Sequence, residues 1–371
     1  MAIKRFEGQP GTTVSVEYES SILADNPLGD PSLRKFHVWL PPGYDRNAGH
    51  ARGKRFPVLF DLVGYTGSGQ SHTNWQGFDE NVPERAARLM HTHKMTGCII
   101  VFPDCFTSLG GNQYVNSTAI GNYADYLTQE LIPFIDTEFR TLAGREHRGC
   151  FGKSSGGYGS LIHGMKYAKY WGAIACHSGD SYFDFIYRSD WPNTLTQLAR
   201  FKEPKQRPGV WQISGQGNNT GLEAGKDDGR IVAFLKHVWK RERLNPNEMH
   251  CLMNLCMAAT YDPDPSVANG FRVPFDLDTG ELIPERWRQW LRHDPINLVK
   301  RSKANLAKLK GIYIDCGWRD QYHIQYGSRI LSQRLHAIGI EHCYEEFDGT
   351  HSGIDNRMDT SLPFLQRILR G

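Results

Sequence analysis

The chain predicts an α/β fold, a mostly parallel central sheet with helices on both faces and an inserted cap-like or lid-like region. Three observations carry that prediction. Short apolar runs alternate with helical patterns along most of the 371 residues, as expected where parallel strands are joined by crossover helices. A serine flanked by glycines falls between one such run and one such helix. One stretch, 181–300, breaks the rhythm and is read as an insertion into a single domain spanning 1–371.

Taken in order, the alternation of apolar and polar residues over 12–20 suits an exposed antiparallel strand at a sheet edge. Apolar runs at 36–40, 56–62, 98–102, 149–151, 172–176, 311–315 and 343–347 are the expected strands. Between 121 and 139, Tyr123, Leu127, Leu131 and Phe134 form a helical stripe, which Pro133 should kink because its ring clashes with the preceding turn. The 181–300 stretch holds Trp191, Trp211, Trp239, Trp287 and Trp290 and turn formers such as Asp262-Pro-Asp-Pro265 and Leu277-Asp-Thr-Gly280. Two readings stay open for it: a lid over the functional face, or a peripheral decoration that buries its own aromatics. Trp75, Trp191, Trp211, Trp287 and Trp290 are candidates for an aromatic pocket, although aromatics at this density also fill cores. The chain contains no internal repeat and no low-complexity linker.

Bulk properties narrow the function. With 43 Lys and Arg scattered among 40 Asp and Glu, the net charge of +3 forms no basic stripe, which argues against a nucleic acid or an anionic membrane as partner. No apolar run approaches the ~20 residues that span a bilayer, and the start of the chain lacks an apolar signal core. A soluble, cytoplasmic protein acting on a small molecule is expected. Assembly into a homo-oligomer is neither required nor excluded. Cysteines at 98, 105, 150, 176, 251, 256, 316 and 343 include no C-x-x-C pair, so buried free thiols are expected in the strands holding Cys98, Cys150, Cys176, Cys316 and Cys343, and neither a metal nor a cofactor is implied.

Chemistry concentrates at Gly152-Lys-Ser154-Ser-Gly156. A serine at a sharp strand-to-helix turn adopts a strained backbone, and its neighbours must carry almost no side chain. The apolar segment at 148–152 and the helical pattern at 158–170 supply strand and helix in the required order. A phosphate loop is excluded, since G-x-x-x-x-G-K-S would need glycine where His147 stands. The remaining alternative is a small-residue turn with an ordinary surface serine.

A serine hydroxyl needs a histidine to take its proton and a carboxylate to orient that histidine. With the order serine, acid, histidine, the glycine-rich loop Phe347-Asp-Gly-Thr-His351-Ser-Gly353 after the last strand nominates His351. Among fifteen histidines, His91 and His93 end a helix and His163 lies inside one. His177, read as following a strand, is the one rival, but it precedes any acid and is read as packed or pocket-lining. Asp320, in the loop past a strand, is favoured as the acid over Asp315, which lies within that strand and is expected to cap backbone amides. Two donors for an oxyanion are expected from the amides of Ser155 and Tyr65, with Thr66 a one-residue alternative to Tyr65.

With these residues placed, the chain resembles the esterase D type branch of the α/β-hydrolases, a broad family that includes S-formylglutathione hydrolases, feruloyl and enterochelin esterases and mycolyltransferases. The similarity runs through His37-Val-Trp-Leu-Pro-Pro-Gly-Tyr44, Phe56-Pro-Val-Leu-Phe-Asp-Leu-Val-Gly64, Phe102-Pro-Asp104, Tyr114-Val-Asn-Ser117, Leu131-Ile-Pro-Phe-Ile-Asp136, Phe139-Arg-Thr141, the serine turn, His177-Ser-Gly179 and the loops of Asp320 and His351. It implies an α/β-hydrolase fold, a Ser154–Asp320–His351 triad, an oxyanion hole at Tyr65 and Ser155, and a carboxylic ester hydrolase without metal or cofactor. An acyltransferase, in which an alcohol resolves the same acyl-enzyme, is the alternative; a binding protein that keeps the fold without turnover is another. Two departures bear on specificity. Val63 replaces the histidine usual before Gly64, and the 181–300 insertion exceeds that of compact members, so hydrolysis of a glutathione thioester is not expected.

Overall fold

The computed structural model describes residues 8–44, 53–202 and 225–370. Eight strands form the sheet: β1 (Thr12–Glu19), β2 (Leu33–Leu40), β3 (Val58–Leu62), β4 (Ile99–Phe102), β5 (Arg148–Lys153), β6 (Ala173–His177), β7 (Gly311–Gly317) and β8 (Cys343–Phe347). Their order is β1-β2-β4-β3-β5-β6-β7-β8. β1 pairs antiparallel with β2 and β2 antiparallel with β4, and every other pairing is parallel. The edge strand and the parallel body stand where the hydrophobic pattern predicts them.

Side chains alternate between the two faces, the period-2 consequence of a pleated strand. Val58, Phe60, Val101, Cys150, Ile174 and Ile314 enter one buried layer. Leu59, Ile100, Phe102, Phe151, Ala175 and Tyr313 enter the other, against α1 (Val82–His91) and the C-terminal helix Met358–Leu369. Both layers exclude water, so the central strands read as continuous apolar runs.

Helix starts follow from local chemistry. Asn81 accepts from the Glu84 amide while the Glu84 side chain accepts from the Asn81 amide, with Pro83 in the first turn. The same device, Asn245 with Glu248 after Pro246, opens the 16-residue helix Pro246–Tyr261. Each cap satisfies orphan amides and contributes about 1 kcal/mol. The stripe at 121–139 forms as expected, but the strain expected at Pro133 is spread differently. A π-helical turn, Tyr126–Leu131, precedes the α-helical segment Ile132–Glu138, whose first turn holds the proline. The wider turn seats the ring without a sharp break.

Smaller corrections concern strand ends. The strand β6 runs through His177, so that residue lies inside it, and Cys98 falls one position before β4. All eight cysteines are free; seven are buried and Cys343 is half-buried.

The insertion buries several of its own aromatics. Trp191, Trp287 and Trp290 are buried and pack on one another, with ring centroids 5.3 and 5.6 Å apart. Trp75 is 73% exposed, and Trp211 lies outside the described residues. The helix Pro246–Tyr261 meanwhile reaches the sheet's edge: the amide nitrogen of Gln113 lies 3.0 Å from the Met257 sulfur, the Ser117 hydroxyl donates to the Ala259 carbonyl at 2.5 Å, and the Tyr261 ring packs 5.9 Å from that of Tyr158. No helix among the described residues is long and apolar enough to cross a membrane.

Candidate active site

Register brings the loops together. Leu62 pairs with Gly152, Gly152 with Cys176, His177 with Asp315 and Gly317 with Phe347, so β3, β5, β6, β7 and β8 all end at one edge of the sheet. Loops leaving the carboxyl ends of parallel strands are where α/β folds place their ligands.

At the end of β5 the chain turns at Ser154, with φ 58° and ψ −124°, and enters α2 (Ser155–Lys166). Such a conformation costs a non-glycine residue about 1–3 kcal/mol and persists only where its surroundings enforce it. They do so here. The Ser154 amide donates to the His177 carbonyl at 3.0 Å, and the Tyr158 amide to the Ser154 carbonyl at 2.9 Å. A Cβ on Gly152 or on Gly156 would collide with the Leu62 carbonyl oxygen. Both glycines of the motif are therefore demanded by the approach of β3, and the helix begins three residues earlier than its apolar pattern indicates because they permit an immediate start.

The loop after β3 lies against this turn. A Cβ on Gly64 would stand 3.5 Å from the Ser154 Cβ, and the Gly67 amide closes a turn onto the Gly64 carbonyl at 3.0 Å. Tyr65 occupies that turn with its side chain directed inward, the hydroxyl donating to the Leu109 carbonyl at 2.6 Å. Val63, where the resembled family usually carries histidine, is buried, and its carbonyl accepts from the Tyr114 hydroxyl at 2.6 Å. Among the described residues, neither the Tyr65 nor the Ser155 amide donates to a backbone carbonyl.

Asp320 and His351 meet. The imidazole Nδ1 donates to Asp320 Oδ2 at 2.8 Å, while the Tyr322 amide donates to Oδ1 at 2.9 Å. Asp320 is 2% exposed and the His351 side chain 12%, so the carboxylate is shielded and the ring reaches the surface. The Gln321 side chain accepts from the His351 amide at 2.9 Å, and the Tyr322 ring stands edge-on to the imidazole at 4.8 Å. Gly317 allows this, because a Cβ there would strike the Gly349 and Thr350 carbonyls of the histidine loop. Just past that loop, Asp355 accepts from Lys153, the residue before the serine, at 2.7 Å. That bond ties the histidine loop to the serine turn. The Ser154 hydroxyl itself makes no hydrogen bond to a described residue; hydrogen bonds of this type are often long before substrate arrives.

Asp315 is not positioned for His351. Its carboxylate accepts from His177 Nδ1 at 2.7 Å, from Arg357 Nε at 2.8 Å and from the Tyr313 hydroxyl at 3.0 Å. Side-chain partners thus replace the backbone amides expected of it. Burial alone would raise the Asp315 pKa, but His177 and Arg357 outweigh it and hold the carboxyl below its usual range. His177, 1% exposed, is packed rather than pocket-lining. His163 is also structural: it contacts the Tyr114 carbonyl at 2.9 Å, accepts from the Trp171 indole at 3.0 Å, and is pushed down to about 4 by burial.

One group escaped the sequence reading. Gln113 donates to the Ser155 hydroxyl at 2.9 Å and to Asp180 Oδ2 at 3.2 Å, and the Tyr187 hydroxyl donates to the same oxygen at 2.8 Å. Asp180 had a positional signal, because it follows a strand at the functional edge. Gln113, in irregular chain, had none.

A serine on a strained strand-to-helix turn, with a histidine and its carboxylate on later loops of the same sheet edge, defines the α/β-hydrolase class of fold. Solved structures agree: a ferulic acid esterase (TM-score 0.57, 18% identity, covering 97% of this chain and 98% of that one), the fluorophosphonate-binding serine hydrolase FphF of Staphylococcus aureus (0.54, 14%, 96% and 99%) and an S-formylglutathione hydrolase from Agrobacterium tumefaciens (0.53, 15%, 100% of both). The family described as "Putative esterase" matches residues 31–355, and the chain belongs to it. Esterase Rv1288 of Mycobacterium tuberculosis is 34% identical over 152 residues, which span 38% of this chain and 28% of that protein.

Proposed function

We propose that the chain is a carboxylic ester hydrolase that works through an acyl-enzyme on Ser154. The single observation supporting this most strongly is the 2.8 Å Asp320–His351 pair at the same sheet edge as a serine held at φ 58°. In this scheme His351 Nε2 takes the hydroxyl proton as Ser154 attacks the ester carbonyl, and Asp320 fixes the ring through Nδ1. The tetrahedral oxyanion accepts from the Tyr65 and Ser155 amides, each worth about 3 kcal/mol in the transition state. His351 then protonates the departing alcohol and activates the water that frees Ser154. No metal or cofactor enters these steps. The helix Pro246–Tyr261 acts as the cover of the site, its Met257 and Tyr261 limiting the size of the ester admitted.

Ser154→Ala tests this scheme. Hydrolysis of p-nitrophenyl acetate should fall on the order of 10³-fold or more, and a fluorophosphonate probe that labels the native protein should no longer attach. Retained turnover in the variant would refute the proposal.

A further inference from the structure

The polar group beside the proposed oxyanion site contains two acceptor oxygens without donors. Gln113 is 1% exposed, and its Oε1 has no hydrogen-bond partner among the described residues, because Nε2 faces Ser155, Asp180 and the Met257 sulfur. Asp180 is 7% exposed; both of its side-chain donors, Gln113 and Tyr187, reach Oδ2, which leaves Oδ1 free among the described residues. A buried carboxylate is ordinarily paired with a cation. Here the hydrogen-bonding partners, Gln113 and Tyr187, are neutral. Burial accordingly raises its pKa, against the opposing pull of Tyr187, His351 and Gln113.

Building on the proposed esterase activity, we infer that Asp180 and Gln113 form a substrate subsite for an ammonium group, so that the preferred ester carries a primary amine near its scissile bond. A hydroxyl offers one proton and could satisfy one of the two free acceptors. An ammonium offers three and also neutralises the carboxylate. The location suits this role, since Gln113 bridges Asp180 to the residue whose amide would hold the oxyanion.

The test compares kcat/KM for ethyl butyrate, ethyl 3-hydroxybutyrate and ethyl 3-aminobutyrate, and for propyl and 3-aminopropyl butyrate, at neutral pH. In one of the two series the amino ester should exceed its uncharged counterparts at least tenfold. Asp180→Asn, which keeps the shape and removes the charge, should bring the ratio close to one; Gln113→Met, which removes the second acceptor, should lower it. An amino ester no better than the uncharged esters in both series, or a preference that survives in Asp180→Asn, overturns the inference. Hydrolysis of ethyl butyrate by the native protein without amine preference removes this subsite alone. Absence of both hydrolysis and fluorophosphonate labelling removes the esterase reading.

Discussion

Two histidine–aspartate pairs, one on strands and one on the loops beyond them, differ by only 0.1 Å in length. His351 and Asp320 are 2.8 Å apart at the rim; His177 and Asp315 are 2.7 Å apart inside the sheet. The inner pair even has its own serine, since Ser361 Oγ lies 2.8 Å from His177 Nε2. By hydrogen-bond distance the inner set is the more complete triad. It lacks everything else. Ser361 is fully buried within the helix Met358–Leu369, its backbone is regular, and Arg357 shares the Asp315 carboxylate. The outer serine stands on a strained turn beside two amides free of backbone partners. Access, backbone strain and unpaired amides therefore separate the two sets where hydrogen-bond geometry does not, and they support the outer set as the proposed catalytic constellation.

Exchanging the two acids gives the largest contrast. Asp320→Asn should lower kcat on the order of 10⁴-fold, because the amide favours the wrong imidazole tautomer, with little change in thermal unfolding. Asp315→Asn should do the reverse. It leaves Arg357 and His177 short of a buried anion, costs about 3 kcal/mol or more of stability, and should spare kcat once the protein is folded. Steady-state rates and melting curves on both variants decide the matter, and a kcat collapse in Asp315→Asn with Asp320→Asn active would reverse the assignment.

The next effect separates burial with a carboxylate from burial without one. His163 is buried like His177 but faces a carbonyl and an indole, and its pKa drops from 6.5 to about 4. Its folded-state pKa is depressed, so the contribution is present above pH 6.5 and is lost as pH falls toward 4, where the unfolded chain binds a proton that the fold refuses. The loss across that window is about 3 kcal/mol. Urea unfolding at several pH values should show the decline, and His163→Gln, although less stable at pH 7, should flatten it. An unchanged slope would mean that other groups dominate acid unfolding.

How much of this was legible in the sequence depends on how local each cause is. The serine turn was, because strand, glycines, serine and helix are contiguous and the steric demand falls on residues 152 and 156. Asp320 could be favoured over Asp315 from position alone, since one lies past a strand end and the other within it. The partners of Asp315 were not legible: Arg357 is 42 residues away and Tyr313 is next to it only in the strand's alternation. Gln113 and Asp180 are 67 residues apart, and the first lies in irregular chain without periodicity. The start of the helix Pro246–Tyr261 is written in Asn245 and Glu248, yet its seat over Gln113 depends on packing across the whole insertion. Pro133 announced a disturbance, whereas the π-helical turn that absorbs it depends on which carbonyls the neighbouring elements leave free.

The smallest effect bears most directly on the comparison. Removing the inner hydroxyl in Ser361→Ala breaks one buried hydrogen bond to His177, a loss of about 1 kcal/mol, and the smaller side chain introduces no clash. Arg357 and Tyr313 still hold Asp315, so the inner cluster should survive. Fluorophosphonate labelling and ester turnover should match the native protein, with the melting temperature slightly lower. Loss of labelling in this variant, with Ser154 intact, would mean that the interior opens and that hydrogen-bond geometry had identified the nucleophile after all. Equal labelling in Ser361→Ala, set against none in Ser154→Ala, would show that a serine and a histidine at 2.8 Å are inert where the backbone is relaxed and substrate has no path.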